Sequence, residues 1–323
     1  MADHAVEDDF DGDIFIYRGG RAPLHITHAR IDKSLDEIEN YAFNECENLV
    51  QVDTHDGIRR VGKYAFRFCS LRRINLKSAV EIGEGAFWKC ENLESVEFGD
   101  TLETIGYAAF NRCTSLPHLK LTSITTIGNC AFNDCTSLID IEFSERLQTI
   151  RTNAYKCCYR LQRIAIPLKR NLLAFNQLMQ CYNQFDGCDQ LTIVDLVGGV
   201  HKTVASLHIE SWRTEMIAEI NRINQVLPGT SAYGKTYVIQ QWMYSVIDKL
   251  EYYKAEHFRY VKEAATLLEL ALWKTKLGEN EDKFGEGKTK KAKIDAESAR
   301  KERRLTCGAE IVIKNVLPFL QLK

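Results

Sequence analysis

Between residues 38 and 198, apolar and polar positions repeat in register. An aromatic is followed three residues later by a cysteine, at Phe43/Cys46, Phe66/Cys69, Phe87/Cys90, Phe110/Cys113, Phe132/Cys135, Tyr155/Cys158 and Phe185/Cys188. Aliphatics stand six and nine residues after the aromatic, at Leu49 and Val52, Leu93 and Val96, Leu116 and Leu119, Leu138 and Ile141, Leu161 and Ile164, and Leu191 and Val194. The second unit is one residue short and uses Leu71 and Ile74. Upstream of the aromatic lies an aliphatic-glycine pair: Val61-Gly62, Ile82-Gly83, Ile105-Gly106 and Ile127-Gly128. The aromatic recurs after 23, 21, 23, 22 and 23 residues and then after 30, where IPLKRNLLAFNQLMQCYNQ is inserted.

A period in this range marks a solenoid. Each unit contains a segment such as Leu93, Val96 and Phe98, whose end alternates in and out as a short strand does. Glycine after the aliphatic suits a tight turn, and the Ala-Phe pair suits a short helical or irregular segment driven into the core. One unit cannot fold alone. Burying five to seven apolar side chains at ~2 kcal/mol each falls short of ordering a unit of that length at ~1.5 kcal/mol per residue. Stacking makes up the difference, because neighbouring rungs cover each other's open faces.

The Ile-Gly-x-x-Ala-Phe-x-x-Cys-x-x-Leu-x-x-Val pattern resembles the BspA-type leucine-rich repeats of bacterial surface proteins and of many protist and algal proteins. That resemblance implies a leucine-rich-repeat solenoid used for protein binding or adhesion, and it brings no catalytic residues with it. The expected fold class is therefore an α/β solenoid: a curved leucine-rich-repeat domain of about seven repeats at 38–199, preceded by an N-terminal cap segment at 1–37.

Two outward columns on the strands are the candidate protein-binding face, expected to be concave. One runs Gln51, Arg73, Ser95, His118, Asp140, Arg163 and Ile193; the other runs Asp53, Asn75, Glu97, Lys120, Glu142, Ala165 and Asp195. Charges alternate along both, so Glu97 is expected to pair with Lys120 and Lys120 with Glu142. Aromatics are missing from these columns, which leaves Arg72, Arg73, Lys77 and Arg163 as the available anchors.

The seven repeat cysteines form a third column. Stacked positions lie ~4.8 Å apart, within reach of a disulfide, but seven thiols cannot all pair. They are expected to act as small buried hydrophobes.

Beyond Gly199 the period changes. Ile209, Trp212, Met216, Ile220, Ile223 and Leu227 are three or four residues apart and mark one helical face, ended by Pro228-Gly229. Ile239, Trp242, Val246, Leu250, Tyr253 and His257 keep the same period through a stretch free of Gly and Pro, as one long helix or two joined ones. An all-α helical domain is expected over 200–323, capping the last rung, with a charged linker at about 278–304. His257 lies on the apolar stripe and reads as a packing residue.

Between the two helical stretches, Gly229, Gly234, Lys235 and Thr236 complete a G-x-x-x-x-G-K-[ST] string, the pattern of a phosphate-binding loop. Its context argues for an inter-helix turn, because such a loop should rise from a buried parallel strand. A nucleotide-dependent switch through 229–236 stays open as an alternative, as does a self-assembling structural protein.

Net charge is -2 overall, but it divides unevenly. Residues 1–200 hold 21 Lys and Arg against 28 Asp and Glu, and residues 201–323 hold 21 against 16. That contrast favours docking of unlike surfaces over a nucleic-acid face. The run Lys288 to Arg304, with eight basic and three acidic residues, reads as a solvated segment that could contact an acidic partner. No aromatics interleave with it, so nucleic acid is not an expected partner.

The chain opens acidic, without a basic start followed by an apolar run, and it holds 11 cysteines. Both features point to a cytosolic or nuclear protein with reduced thiols. No membrane span, N-glycosylation acceptor, nucleophile elbow, His-Glu-x-x-His or Cys-x-x-Cys is present, and His25 and His28 lack partners at metal-ligand spacing. The expectation is a non-enzymatic interaction or scaffold protein that needs no cofactor.

Overall fold

The computed structural model describes residues 10–175, 183–207 and 209–281. The basic run 288–304 and most of the linker expected at 278–304 lie outside the described residues. The chain falls into two compact units, Met1–Val200 with Ile217–Ile247, and His201–Met216 with Asp248–Lys323.

The first unit is a parallel β-solenoid. Its longer strands are Ile14–Tyr17, His28–Ile31, Gln51–Asp53, Arg73–Leu76, Ser95–Phe98, His118–Leu121, Asp140–Phe143, Arg163–Pro167 and Ile193–Val197. Within Arg73–Leu76, Ile74 and Leu76 are buried while Arg73 and Asn75 face out, the alternation that a half-buried strand requires. The hairpin of Phe10–Asp11 on Ile14–Tyr17 closes the first edge in antiparallel fashion. The strands at 14–17 and 28–31 already pair in parallel with the repeat strand at 51–53. The boundary expected at residue 38 therefore falls inside the solenoid. These early rungs lack the Phe-x-x-Cys anchor, so the period is visible only after them. The boundary expected at 200 also shifts, because residues 217–247 belong with the solenoid.

A second ladder joins the two-residue strands Glu37–Ile38, Arg60–Val61, Glu81–Ile82, Thr104–Ile105, Thr126–Ile127 and Thr149–Ile150 into one continuous six-stranded sheet. The insertion keeps this ladder going, with Leu173 bridging Ile150. The glycines that follow these strands do not serve as left-handed turn residues. A Cβ on Gly128 would stand 2.5 Å from the carbonyl carbon of Gly106, and one on Gly83 would stand 2.8 Å from the Val61 oxygen. Close approach of the preceding rung is what demands glycine there.

The left-handed positions fall elsewhere and are mostly not glycine. Tyr41, Tyr64, Ala108, Cys130 and Asn153, two residues before the anchor, and Glu45, Phe68, Lys89, Arg112, Asp134 and Cys157, two after it, have φ between 49° and 66°. Such conformations cost on the order of 1 kcal/mol each. They turn every second N–H toward the next rung: Tyr41 donates to Lys63 at 2.8 Å, Phe43 to Ala65 at 2.7 Å and Glu45 to Arg67 at 2.8 Å. The inter-rung bonds offset the strain, and only stacking supplies them.

Between the ladders the anchor rings stack in one column, all fully buried. Centroids are 5.1 Å apart for Phe43 and Phe66, 5.0 Å for Phe87 and Phe110, 5.2 Å for Phe132 and Tyr155, and 5.7 Å for Tyr155 and Phe185. Tyr17 extends the column at 4.8 Å from Phe43. Six of the seven repeat cysteines, from Cys69 on, donate to the carbonyl of the preceding rung's anchor aromatic, while Cys46 donates to Pro23. Cys90 Sγ donates to the Phe66 carbonyl at 2.9 Å, Cys113 to Phe87 at 3.2 Å and Cys188 to Tyr155 at 3.1 Å. Burial pushes the thiols of Cys90 and Cys135 up to about 12, so these side chains stay protonated and act as apolar fillers with one weak donor.

Tyr155 is the exception in the column, because its hydroxyl is buried with no hydrogen-bond partner among the described residues. An orphaned buried hydroxyl costs about 1 to 3 kcal/mol. Tyr155→Phe is accordingly expected to raise stability by about 1 kcal/mol, read as a higher urea midpoint at unchanged slope. A lower midpoint would show that the hydroxyl has a partner.

The helices are α1, Val200–Ala205; α2, Glu210–Val226; and α3, Lys235–Glu281, with a 3-10 turn at Leu227–Gly229. One continuous helix thus occupies the stretch that the periodicity left open between one helix and two. The stripe residues Ile239, Trp242, Val246, Leu250, Tyr253 and His257 are all buried. Within the second unit Trp212 stacks on Tyr253 at 5.0 Å, and the Tyr253 hydroxyl donates to Glu215.

Candidate protein-interaction surface

The longer strands carry both predicted columns in the expected register: Arg73 beside Ser95, Asn75 beside Glu97, His118 beside Asp140, Lys120 beside Glu142, and Arg163 beside Ile193. Gln51, Arg73, Asn75, Glu97, His118, Lys120 and Glu142 are exposed, as are the flanking Arg72 and Lys77, while Asp53, Asp140, Arg163 and Asp195 are half-buried. Ala165 is buried, a methyl group between the longer side chains of its register partners Glu142 and Asp195.

The ion pairs differ from those expected. Glu97 pairs with Lys77 at 2.8 Å, His118 with Asp140 at 3.0 Å and Arg163 with Asp195 at 2.6 Å. The shared hydrogen bond holds the Glu97 carboxyl below its ordinary value and the Lys77 ammonium above its own. Asp53 takes His28 at 3.1 Å and accepts from Gln51 at 3.0 Å. Among the described residues Lys120, Glu142, Arg72 and Arg73 make no ion pair within 4.0 Å.

The reason lies in Pro117. At the matching position of other rungs an N–H starts the ladder: Glu94 donates to Arg72 at 2.8 Å, Ile139 to Pro117 at 2.8 Å and Gln162 to Ile139 at 2.8 Å. Proline has no N–H to give. The long-strand face is therefore interrupted between Ser95–Phe98 and His118–Leu121, and Glu97 is parted from Lys120. A second interruption separates Gln51–Asp53 from Arg73–Leu76, where the repeat is one residue short.

At the Pro117 break the face opens into a cleft of about 630 Å³, lined by Lys77, Val96, Glu97, Phe98, Asp100, His118, Leu119, Lys120, Thr122, Asp140 and Glu142. Val96 and Phe98 are half-exposed in it, whereas Ile74, Leu76, Leu119 and Leu121 at the same strand positions are buried. The cleft thus combines apolar floor, unpaired charge and two strand edges without ladder partners.

A different cluster lies off the strands and so outside both columns. Tyr41, Tyr64 and Trp88 follow one another with centroids 5.5 and 6.0 Å apart. The Arg67 guanidinium lies 4.5 Å over the Phe68 ring and 5.4 Å over Trp88, and Lys89 Nζ lies 4.8 Å over Phe68. Reading positions one and two residues after each anchor aromatic would have found Arg67, Phe68, Trp88 and Lys89.

The phosphate-loop string has another task. Lys235 is buried and donates to the carbonyls of Asp189 at 2.8 Å and Leu191 at 2.5 Å. Thr236 Oγ1 accepts from the Phe185 amide at 2.8 Å, and Asn224 accepts from Val194 at 2.8 Å. Burial lowers the Lys235 pKa from its usual value. The last rung would otherwise present these groups with no next rung to bind them, so 229–236 is an inter-helix turn whose side chains close the solenoid. Gly229 and Gly234 belong to its backbone, where the Gly234 N–H donates to the Ser231 carbonyl at 2.9 Å and the Gly234 carbonyl accepts from Val238 at 3.0 Å.

Among the described residues no group of three or more His, Cys, Asp or Glu is placed to hold a metal ion, and no helix is long and apolar enough to cross a membrane.

The model of the BspA type leucine rich repeat region matches the chain in six copies, over residues 22–123 and 76–184. The chain belongs to the BspA-type leucine-rich-repeat family. This BspA-type solenoid is similar in solved structures to a leucine rich cell surface protein from Faecalibacterium prausnitzii, with 19% identity, 52% of this chain and 59% of that one covered, and a TM-score of 0.29. A leucine-rich repeat protein from Bacteroides ovatus matches at 22% identity, covering 53% and 55%, with a TM-score of 0.38. The T. pallidum Leucine Rich Repeat protein matches at 22% identity, covering 61% and 88%, with a TM-score of 0.40. The chain thus spans somewhat over half the length of the first two, 59% and 55%. No curated protein matches the BspA-type chain.

Proposed function

We propose that the protein is a non-enzymatic binding scaffold whose working surface is the long-strand face, centred on the cleft at Pro117. The observation that carries this reading is the interrupted ladder. Two strand edges face each other without ladder bonds, and such edges accept an extended partner segment by main-chain pairing. Lys120 and Glu142 beside them are free of ion pairs among the described residues, and Val96 and Phe98 add apolar area. A rigid solenoid suits this task because its side chains are held before the partner arrives.

A second reading rests on the Arg67, Phe68, Trp88 and Lys89 cluster, since Trp and Arg are the residues that most often dominate interfaces. A cytosolic or nuclear location fits both, and the row of thiols seated on carbonyls supports a reducing compartment.

Affinity purification with mass spectrometry from native lysate tests the choice of face. Pro117→Thr restores the missing donor, and reversal of Arg73, Lys120 and Arg163 to Glu changes the charge of the columns. Both are expected to lose at least tenfold of a specific partner that Arg67→Glu retains. Loss in Arg67→Glu alone would move the site to the aromatic cluster.

A further inference from the structure

The buried stripe of α3 runs Ile239, Met243, Val246, Leu250, Tyr253 and His257, in steps of four and three. The same steps continue through Tyr260, Ala264, Leu267 and Ala271, with Leu268 and Leu272 alongside. Tyr260 still packs on Trp212, with centroids 6.0 Å apart, but beyond it the leucines of the stripe and its flank face out: Leu267 is 66%, Leu268 57% and Leu272 56% exposed. Trp273 adds another half-exposed ring beside them. Isolated apolar residues on a surface need no explanation, but a contiguous helical seam in register with a buried one does.

We propose that residues 309–322 of the same chain cover this seam. The segment AEIVIKNVLPFLQL is apolar at Ile311, Val312, Ile313, Val316, Leu317, Phe319, Leu320 and Leu322, and carries only Glu310 and Lys314 as charges. Its chemistry matches a seam made of leucines and alanines. The intervening residues 282–308 are strongly charged and contain no long apolar run, so they suit a solvated connection. Reach is ample. Returning from Glu281 to residue 261 along a helix is ~30 Å, and a chain of that connection's length extends to ~90 Å. Covalent linkage over this length sets an effective concentration on the order of 1 mM, so a second copy competes poorly at ordinary protein concentrations.

Hydrogen exchange and sedimentation of the full chain test the assignment. In the unmodified protein, a monomer is expected with the amides of 261–273 protected, and replacement of Ile313, Leu317 and Leu320 by Asp is expected to speed their exchange at least tenfold. A synthetic peptide of residues 309–323 added to that variant should restore the protection. The converse change, Leu268→Asp on the exposed helix face, should leave the helix in place and expose 309–322 to exchange. A dimer whose protection of 261–273 is indifferent to the triple Asp variant would assign the seam to a second copy and overturn the proposal. Equal, fast exchange of 261–273 in both proteins would also overturn it.

Discussion

Phe110→Ala is expected to lower the unfolding free energy by about 4 kcal/mol and to split a single unfolding transition into two. Phe110 is fully buried in mid-column, stacked on Phe87 at 5.0 Å and on Phe132 at 5.2 Å, with Phe98 edge-on at 5.9 Å. Removing a buried Phe costs about 3 to 5 kcal/mol, and every lost contact here lies between rungs. In a solenoid, stability is close to a sum of rung and interface terms. The same interface already lacks its long-strand ladder at Pro117, so the ring column shares the coupling of the two sides with the short-strand ladder and the bonds beside it alone. Urea denaturation read by tryptophan fluorescence and by circular dichroism checks this. Coincident, single transitions with a loss under 1 kcal/mol would show that the column is not what joins the rungs.

Lys235→Met is expected to lower stability by about 3 kcal/mol, from two buried hydrogen bonds to a charged group at about 1.5 to 3 kcal/mol each less the recovered desolvation. For a chain of this size that corresponds to roughly 6 to 12 °C in melting temperature. The methionine keeps the stem packed but leaves the carbonyls of Asp189 and Leu191 without their donor. Magnesium-ATP and magnesium-GTP are expected to leave the melting temperature of the unmodified protein unchanged. The nucleotide-switch reading requires the opposite pair of results: a nucleotide-dependent rise, and a Lys235→Met variant that melts where the parent does but has lost that rise.

The repeat was legible because its physical requirement is periodic. Anchors such as Phe87 with Cys90 are dictated by one buried column, and burial repeats faithfully from rung to rung. The first rungs were not legible, because Tyr17 and Ala29 enter that core without the Phe-x-x-Cys signature. The outward columns were legible in position, since Lys120 does lie in register beside Glu142, but their pairing was not. One missing N–H at Pro117 changes which rungs touch, and a count of alternating charges contains no information about hydrogen bonds. The G-x-x-x-x-G-K-T string shows the reverse case. A motif complete in letters was redirected by context, because a buried rung end demands a donor at Lys235, as a phosphate would, and an acceptor at Thr236, which a phosphate would not.

The two ladders of the solenoid also differ mechanically. The short-strand sheet runs unbroken through its six strands, while the long-strand face is cut at Pro117. Across Pro117 the rungs are thus held together by the spine, by bonds such as Phe87 N–H to the Ala109 carbonyl at 2.7 Å and by the stacked Phe87 and Phe110 rings, and not by the long-strand side. What enters the slit therefore meets a side on which no ladder bond has to break to admit it, while the spacing of the rungs is set from the opposite side.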